Sequence, residues 1–223
     1  MRVLFILLTL SALGWSNIGN IAAFKGDGKV VRDAKSLAIK NGMALEVQDK
    51  IVTSTQSRVQ VILKDDTVVT IGPNTSFVFD KYSYDRKNSE VAMRVNHGFF
   101  RSVTGKIGKL APERFKVKTV SATIGIRGTD FSALVSDNQE IISCYRGKIV
   151  AQIGDIAHEV EAGMELDNSG GKITKKAVTK NIKVQFLDNS GNLQDIKADA
   201  IQQEIQKEIG TPQGQPTVDF TDR

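Results

Sequence analysis

The stretch Thr123-Ile124-Gly125-Ile126-Arg127-Gly128-Thr129-Asp130-Phe131 lies between two alternating runs, Arg114–Val120 and Phe131–Val135. Its two glycines stand three apart inside sequence that otherwise reads as strand. Glycine in such a place marks a sharp bend, a bulge or the close approach of another backbone. The segment therefore reads as a corner between two strands. Arg127 and Asp130 are near enough in sequence to bond each other or the turn backbone, and Phe131 opens the next buried face. The corner is expected to determine the fold, so that Gly128→Val should damage folding before it damages binding.

On both sides of the corner the alternation continues. Val59, Val61 and Leu63 share one strand face, as do Val91, Met93 and Val95, then Phe115 and Val117, then Phe131, Ala133 and Val135, then Ile149, Ala151 and Ile153. Turn-forming residues separate these runs at Asp65-Asp66, Gly72-Pro73-Asn74, Asn96-His97-Gly98, Asp137-Asn138, Arg146-Gly147, Gly154-Asp155 and Asn168–Gly171. The body of the chain is predicted to be all-β. Asp49–Thr53 and Asp66–Thr70 repeat one pattern, an acid, a spacer or threonine, two aliphatics and a threonine, about one hairpin apart.

Six pieces in order resemble the signature of the FecR-type domain, named after a bacterial envelope signalling regulator. They are Gly42 with Asp49–Thr53; Asp65–Thr67 leading to Ile71-Gly72-Pro73; Gly98-Phe99-Phe100; Phe115-Lys116-Val117-Lys118-Thr119; Arg127–Phe131; and Arg146–Ile149. The resemblance covers roughly residues 17–170 and implies a β-solenoid-like or rolled β-sandwich architecture. Gly125, Arg127, Gly128, Thr129, Asp130 and Phe131 are its most compact element, and their role is read as mainly structural.

Met1 and Arg2 precede an apolar run from Val3 to Leu13 that meets Gly14-Trp15-Ser16-Asn17. A charged start, an apolar stretch too short to span a bilayer and a small-x-small site read as a secretory signal peptide over 1–16. Cleavage after Ala23 competes with cleavage after Ser16. It would remove most of the first strand of an expected hairpin that turns at Gly26-Asp27-Gly28 into Lys29–Arg32, so Ser16 is favoured. The mature chain is expected in the periplasm without a membrane-spanning segment.

The single cysteine, Cys144, excludes an internal disulfide in that compartment. It shares a strand face with Ile142 and reads as a buried small apolar residue. The formal charge of +5 falls to +4 when Arg2 leaves with the leader, a mildly basic balance suited to anionic envelope polymers before nucleic acid. Residues 17–175 are expected to form the β domain. A hairpin follows from 176, in which Ile182, Val184 and Phe186 alternate, and then a helix over Ala198–Ile209 with the stripe Ile201, Ile205 and Ile209. That stripe would dock on its own domain or on a partner. Residues 210–223 read as a disordered tail.

Chemistry is hard to find in this chain. His97 and His158 are not spaced as metal ligands, Gly105–Leu110 has no Ser or Thr after either lysine, and Gly26-Asp27-Gly28 lacks the third glycine of a dinucleotide loop. No nucleophile elbow is present, and Asp65 and Asp66, being adjacent, point to opposite faces. The expectation is a non-enzymatic protein with no cofactor. The densest charge is Arg101, Lys106, Lys109, Arg114, Lys116 and Lys118. It would form a basic stripe for an anionic glycan or lipid, or a solvated strand face that discourages edge pairing.

For family regulators the resemblance implies a periplasmic domain that hears an outer-membrane receptor and controls a sigma factor through a spanning segment and a cytoplasmic arm. This chain is read as lacking both. Its expected role is an exported binding domain that engages an envelope protein, such as the periplasmic part of a membrane sensor or receptor. An envelope polysaccharide- or lipid-binding module using the basic strand face is the alternative.

Overall fold

The computed structural model describes residues 17–85 and 87–178 in full, and the backbone of 185–187 and 193–195. The predicted leader, the helix over 198–209 with Ile201, Ile205 and Ile209, and the tail lie outside the described residues.

Fifteen strands form one sheet that does not close. They are β1 (Asn17–Lys25), β2 (Gly28–Arg32), β3 (Lys35–Ala38), β4 (Ala44–Glu46), β5 (Lys50–Thr53), β6 (Arg58–Leu63), β7 (Val68–Ile71), β8 (Ser76–Ser83), β9 (Glu90–Val103), β10 (Phe115–Lys118), β11 (Ala122–Val135), β12 (Gln139–Ile153), β13 (Ile156–Glu161), β14 (Met164–Ser169) and β15 (Lys172–Ala177). A short helix α1 (Lys106–Leu110) and one 3-10 turn (Pro112–Arg114) join β9 to β10. A separate two-stranded ladder pairs β16 (Gln185–Leu187) with β17 (Leu193–Asp195).

The sheet rolls because three long strands each serve two layers. The ends of β9, β11 and β12 that run through Phe100, Phe131 and Ile142 pair with one another in the first layer, where β7 joins β9, β14 joins β12, and β6 and β1 continue the order beyond β7. Their other ends pair with β10, β8 and β13 in the second layer, where β5, β2 and β3 continue the order. Each strand changes layer at a glycine with positive φ: Gly98 at +99°, Gly128 at +57° and Gly147 at +78°. Asn96-His97-Gly98 and Arg146-Gly147 read as turns in the sequence, but they are bends inside β9 and β12. The pairing is antiparallel everywhere except between β10 and β9, which distinguishes a rolled sandwich from a solenoid of parallel rungs.

Between the layers lies a single apolar core. Phe100 of the first layer meets Phe77 of the second edge-on at 5.6 Å between ring centres, and meets Phe131 at 5.6 Å. Ile18, Val61, Phe79, Phe115, Ile124 and Ile149 are fully buried around them. This follows from the alternation, since every second residue of each strand faces the same way. Cys144 belongs to this core, as expected.

The predicted hairpin between 17–24 and 29–32 does not form. β1 pairs with β6 and β4 in the first layer, whereas β2 pairs with β3 and β5 in the second. Gly26 and Asp27 carry the chain from one layer to the other, and a Cβ on Gly26 would lie 2.8 Å from the Ser57 Cα. The Asp27 amide donates to the Ser57 hydroxyl at 2.9 Å.

Candidate functional site

The corner is built from backbone upward. Gly128 takes a left-handed conformation that other residues adopt at a cost. The next residue, Thr129, is held on both sides of its peptide by Thr104: its amide donates to the Thr104 hydroxyl at 2.9 Å and its carbonyl accepts from the Thr104 amide at 3.0 Å. Asp130 then receives a two-pronged bond from Arg101, with Nε to Oδ1 and Nη2 to Oδ2 both at 2.8 Å. The guanidinium also sits 4.2 Å above the Tyr145 ring. Phe131 enters the core. Asp130 thus finds its partner on the neighbouring strand β9 rather than in Arg127, which is exposed and has no ion pair among the described residues.

Other signature residues lock neighbouring joints. The Thr53 hydroxyl donates to the Gly72 carbonyl at 2.6 Å and accepts from the Thr75 amide at 2.9 Å. Asp49 is wholly buried and takes a paired bond from Arg32 at 2.7 and 2.6 Å. Asp65 is buried where Asp66 is not; burial pushes its carboxyl above the ordinary range, against hydrogen bonds from Thr67, Ile107 and Tyr82. Thr119 and Ser121 donate to the buried carboxylate of Glu140. Sequence reading missed Arg32, Thr104 and Glu140, which lie far along the chain from the motifs they serve. These joints are structural.

The basic run divides. Arg101 is buried in its pair with Asp130 and is not a surface contact. Lys106 pairs with Asp66 at 3.0 Å, and Arg114 donates to the Lys87 carbonyl at 3.2 Å. Lys109 is exposed on α1. Lys116 and Lys118 point out from β10, opposite Phe115 and Val117. β10 is not an edge, because β9 runs along one side and β11 along the other. The two lysines therefore guard no edge against pairing.

They stand instead in the middle of the second layer's outer face. Lys116 lies between Ala92 and Gly125, and Lys118 between Arg94 and Thr123. Arg127 and Lys148 are opposite each other on the next pair of strands. Arg94 is paired with Asp80 at 2.6 Å and Lys148 with Glu159 at 3.1 Å. Lys116, Lys118 and Arg127 have no ion pair among the described residues. A Cβ on Gly125 would have only the Val150 carbonyl oxygen nearby, at 3.9 Å, so this glycine leaves the face open rather than relieving a clash. Three unpaired cations beside Ala92, Thr123 and Gly125 form a flat basic surface that can meet an anionic one.

The described residues thus form an all-β sheet rolled around one core, with a basic outer face on its second layer. The profile of the FecR protein family matches residues 49–150. Two crystal structures, at 2.50 and 1.65 Å resolution, of a protein described as a candidate anti-sigma factor from Parabacteroides distasonis ATCC 8503 are similar in structure. They share 17% and 18% identity with TM-scores of 0.49 and 0.48, and the likeness spans 72% of this chain and 91% and 92% of theirs. No curated protein matches the chain. Among the described residues no helix is long and apolar enough to cross a membrane.

Proposed function

We propose that this chain is an exported, non-enzymatic signalling domain of the periplasm that engages a cell-envelope protein through the outer face of its second layer. One observation carries the reading. Lys116, Lys118 and Arg127 are exposed, without ion pairs among the described residues, on a flat mid-sheet surface. Charges that the fold does not use are free to steer an acidic partner and fix its register. The periplasmic part of a membrane sensor or receptor is the partner that fits a FecR-type domain. Cleavage of the leader after Ser16 suits the fold, because cutting after Ala23 would take Ile18 and Ile21 out of the core.

The test is crosslinking in cells with a tagged chain, wild type against Lys116→Glu/Lys118→Glu. One membrane sensor or receptor recovered with the wild type and lost from the variant is expected. Recovery undiminished by the variant overturns the assignment of this face. Salt-sensitive retention on envelope glycan or lipid, lost in the variant with no protein recovered, would make the chain an envelope-binding module instead.

A further inference from the structure

Two large aliphatic side chains are left open at one end of the second layer. Val120, in the turn from β10 to β11, is 69% exposed, and Ile156, where β13 leaves the Gly154-Asp155 turn, is 61% exposed. Ala122 pairs with Ile153, and Ile153 with Ile156, so the two turns are neighbours with the half-buried Ile153 between them. Val120 and Ile156 are therefore roughly 10–15 Å apart at the usual spacing of strands. Leu110 and Leu134, also exposed, belong to α1 and to the first layer.

The Val120 turn is held from beneath. The Thr119 amide donates to the Ala122 carbonyl at 2.9 Å, and the Ala122 amide donates to the Thr119 hydroxyl at 3.0 Å. The hydroxyls of Thr119 and Ser121 donate to Glu140 in the first layer, as does the Ser121 amide at 3.2 Å. Asn168 of β14 donates to the Ser121 hydroxyl at 3.1 Å. Thr119 and Ser121 thus direct their polar groups inward, and Val120 is what the turn presents to solvent. An apolar tip already fixed in place loses little freedom when a partner covers it.

Both tips continue the basic face. Lys118 precedes Val120 by two residues, and the row Lys118, Thr123, Gln152 and Ala157 runs in register from β10 to β13, alongside the two turns. Asp155, exposed beside Ile156, is the charge at the other end of that row. A partner's acidic groups therefore belong over Lys116 and Lys118, with an apolar surface reaching from Val120 to Ile156.

We infer that Val120 and Ile156 are the apolar anchors of this face, and that its occupant is a protein presenting an apolar groove with an acidic rim on one side. The inference rests on the assignment of the basic face proposed above and names what that face binds. An anionic polysaccharide would satisfy the lysines and leave both aliphatic side chains in water. A second copy meeting this surface with the same surface would set the lysines of one chain against the lysines of the other. An acidic, grooved protein covers the anchors and pairs the cations together, which is how a few central side chains come to carry most of an interface's affinity.

The experiment is photocrosslinking in cells with the full-length chain, carrying p-benzoylphenylalanine in place of Gln152, which is exposed between Thr123 and Ala157. One protein adduct is expected, its crosslinked peptide carrying Asp or Glu beside apolar residues. Its yield should fall about tenfold in Val120→Asn/Ile156→Asn, and also in Lys116→Glu/Lys118→Glu, with thermal melts unchanged. An adduct lost from the lysine variant but undiminished in the apolar one overturns this inference and leaves the basic face standing. An adduct undiminished in both overturns the assignment of the face as well. A crosslink to a second copy or to glycan alone, or no adduct at all, also overturns the inference. Should Val120→Asn/Ile156→Asn melt lower than the wild type, Val120→Thr decides, because it keeps the shape and exchanges one methyl group for a hydroxyl. A reduced yield then supports the inference, and a yield equal to the wild type overturns it.

Discussion

Gly147 gives the sharpest test of how the sheet is rolled. A Cβ there would lie 2.6 Å from the Gly128 carbonyl oxygen and 2.7 Å from that of Arg127, both backbone atoms of the adjacent strand. Its φ of +78° adds a second obstacle. Gly163 has nearly the same φ, +82°, but a Cβ there would meet nothing within 4 Å, and so it isolates the second obstacle from the first. Gly163→Ala should cost about 1 kcal/mol, the usual penalty of a left-handed conformation for a residue with a side chain. Gly147→Ala carries the same penalty plus the overlap. Relieving that overlap parts β11 from β12 by roughly half an ångström, which weakens one or two ladder hydrogen bonds at about 1 kcal/mol each. It also shifts Cys144 and Ile149 in a dense core, for about 1–3 kcal/mol more. The expected total is about 3–6 kcal/mol, against about 1 for the control. Urea unfolding of both variants, with equal m-values, measures the difference. Equal losses would refute the claim that two strands cross here at glycine-only distance.

Asp130→Ala leaves Arg101 buried without its two-pronged partner and should cost about 3–5 kcal/mol in denaturant unfolding, far more than Asp155→Ala in an exposed turn. Burial pushes the Cys144 thiol up to about 11. Because the folded state holds its proton where the unfolded chain has lost it, this contribution to stability should be complete below about pH 9 and be lost as the pH rises from about 9 to 11; Cys144→Ala should flatten the fall between about pH 9 and 10, before the Tyr82 phenol, which burial also pushes up, begins to add its own. Gly125→Ala should unfold within about 0.5 kcal/mol of the wild type, because the site is open, whereas Gly128→Val should lose about 2 kcal/mol or more; both are read from thermal melts.

Period-two alternation was enough to assign the core. Val59, Val61, Phe115, Val117, Phe131 and Cys144 are buried because alternation in a strand admits only one inward set. The corner at Gly128 was legible for the same reason, since two glycines inside a strand pattern have few other uses. Part of the candidate site was legible as well: Lys116 and Lys118 point outward as alternation with Phe115 and Val117 requires.

Pairing was not legible. A glycine that bends one strand and a glycine that reverses the chain look alike locally, so Gly98 and Gly147 read as turns until the register showed β9 and β12 continuing through them. Likewise Arg101 looked like one more surface cation beside Lys106 and Lys109, and only its position opposite Ser132, with Val103 opposite Asp130, brought it to its carboxylate. Which residues face inward and where the backbone must bend could be read along the chain, because both depend on side-chain volume and φ within a few residues. Which strands became neighbours, and hence which charges are buried in pairs and which are left on the surface, came only with the folded arrangement, because those contacts join residues 17 to 42 positions apart.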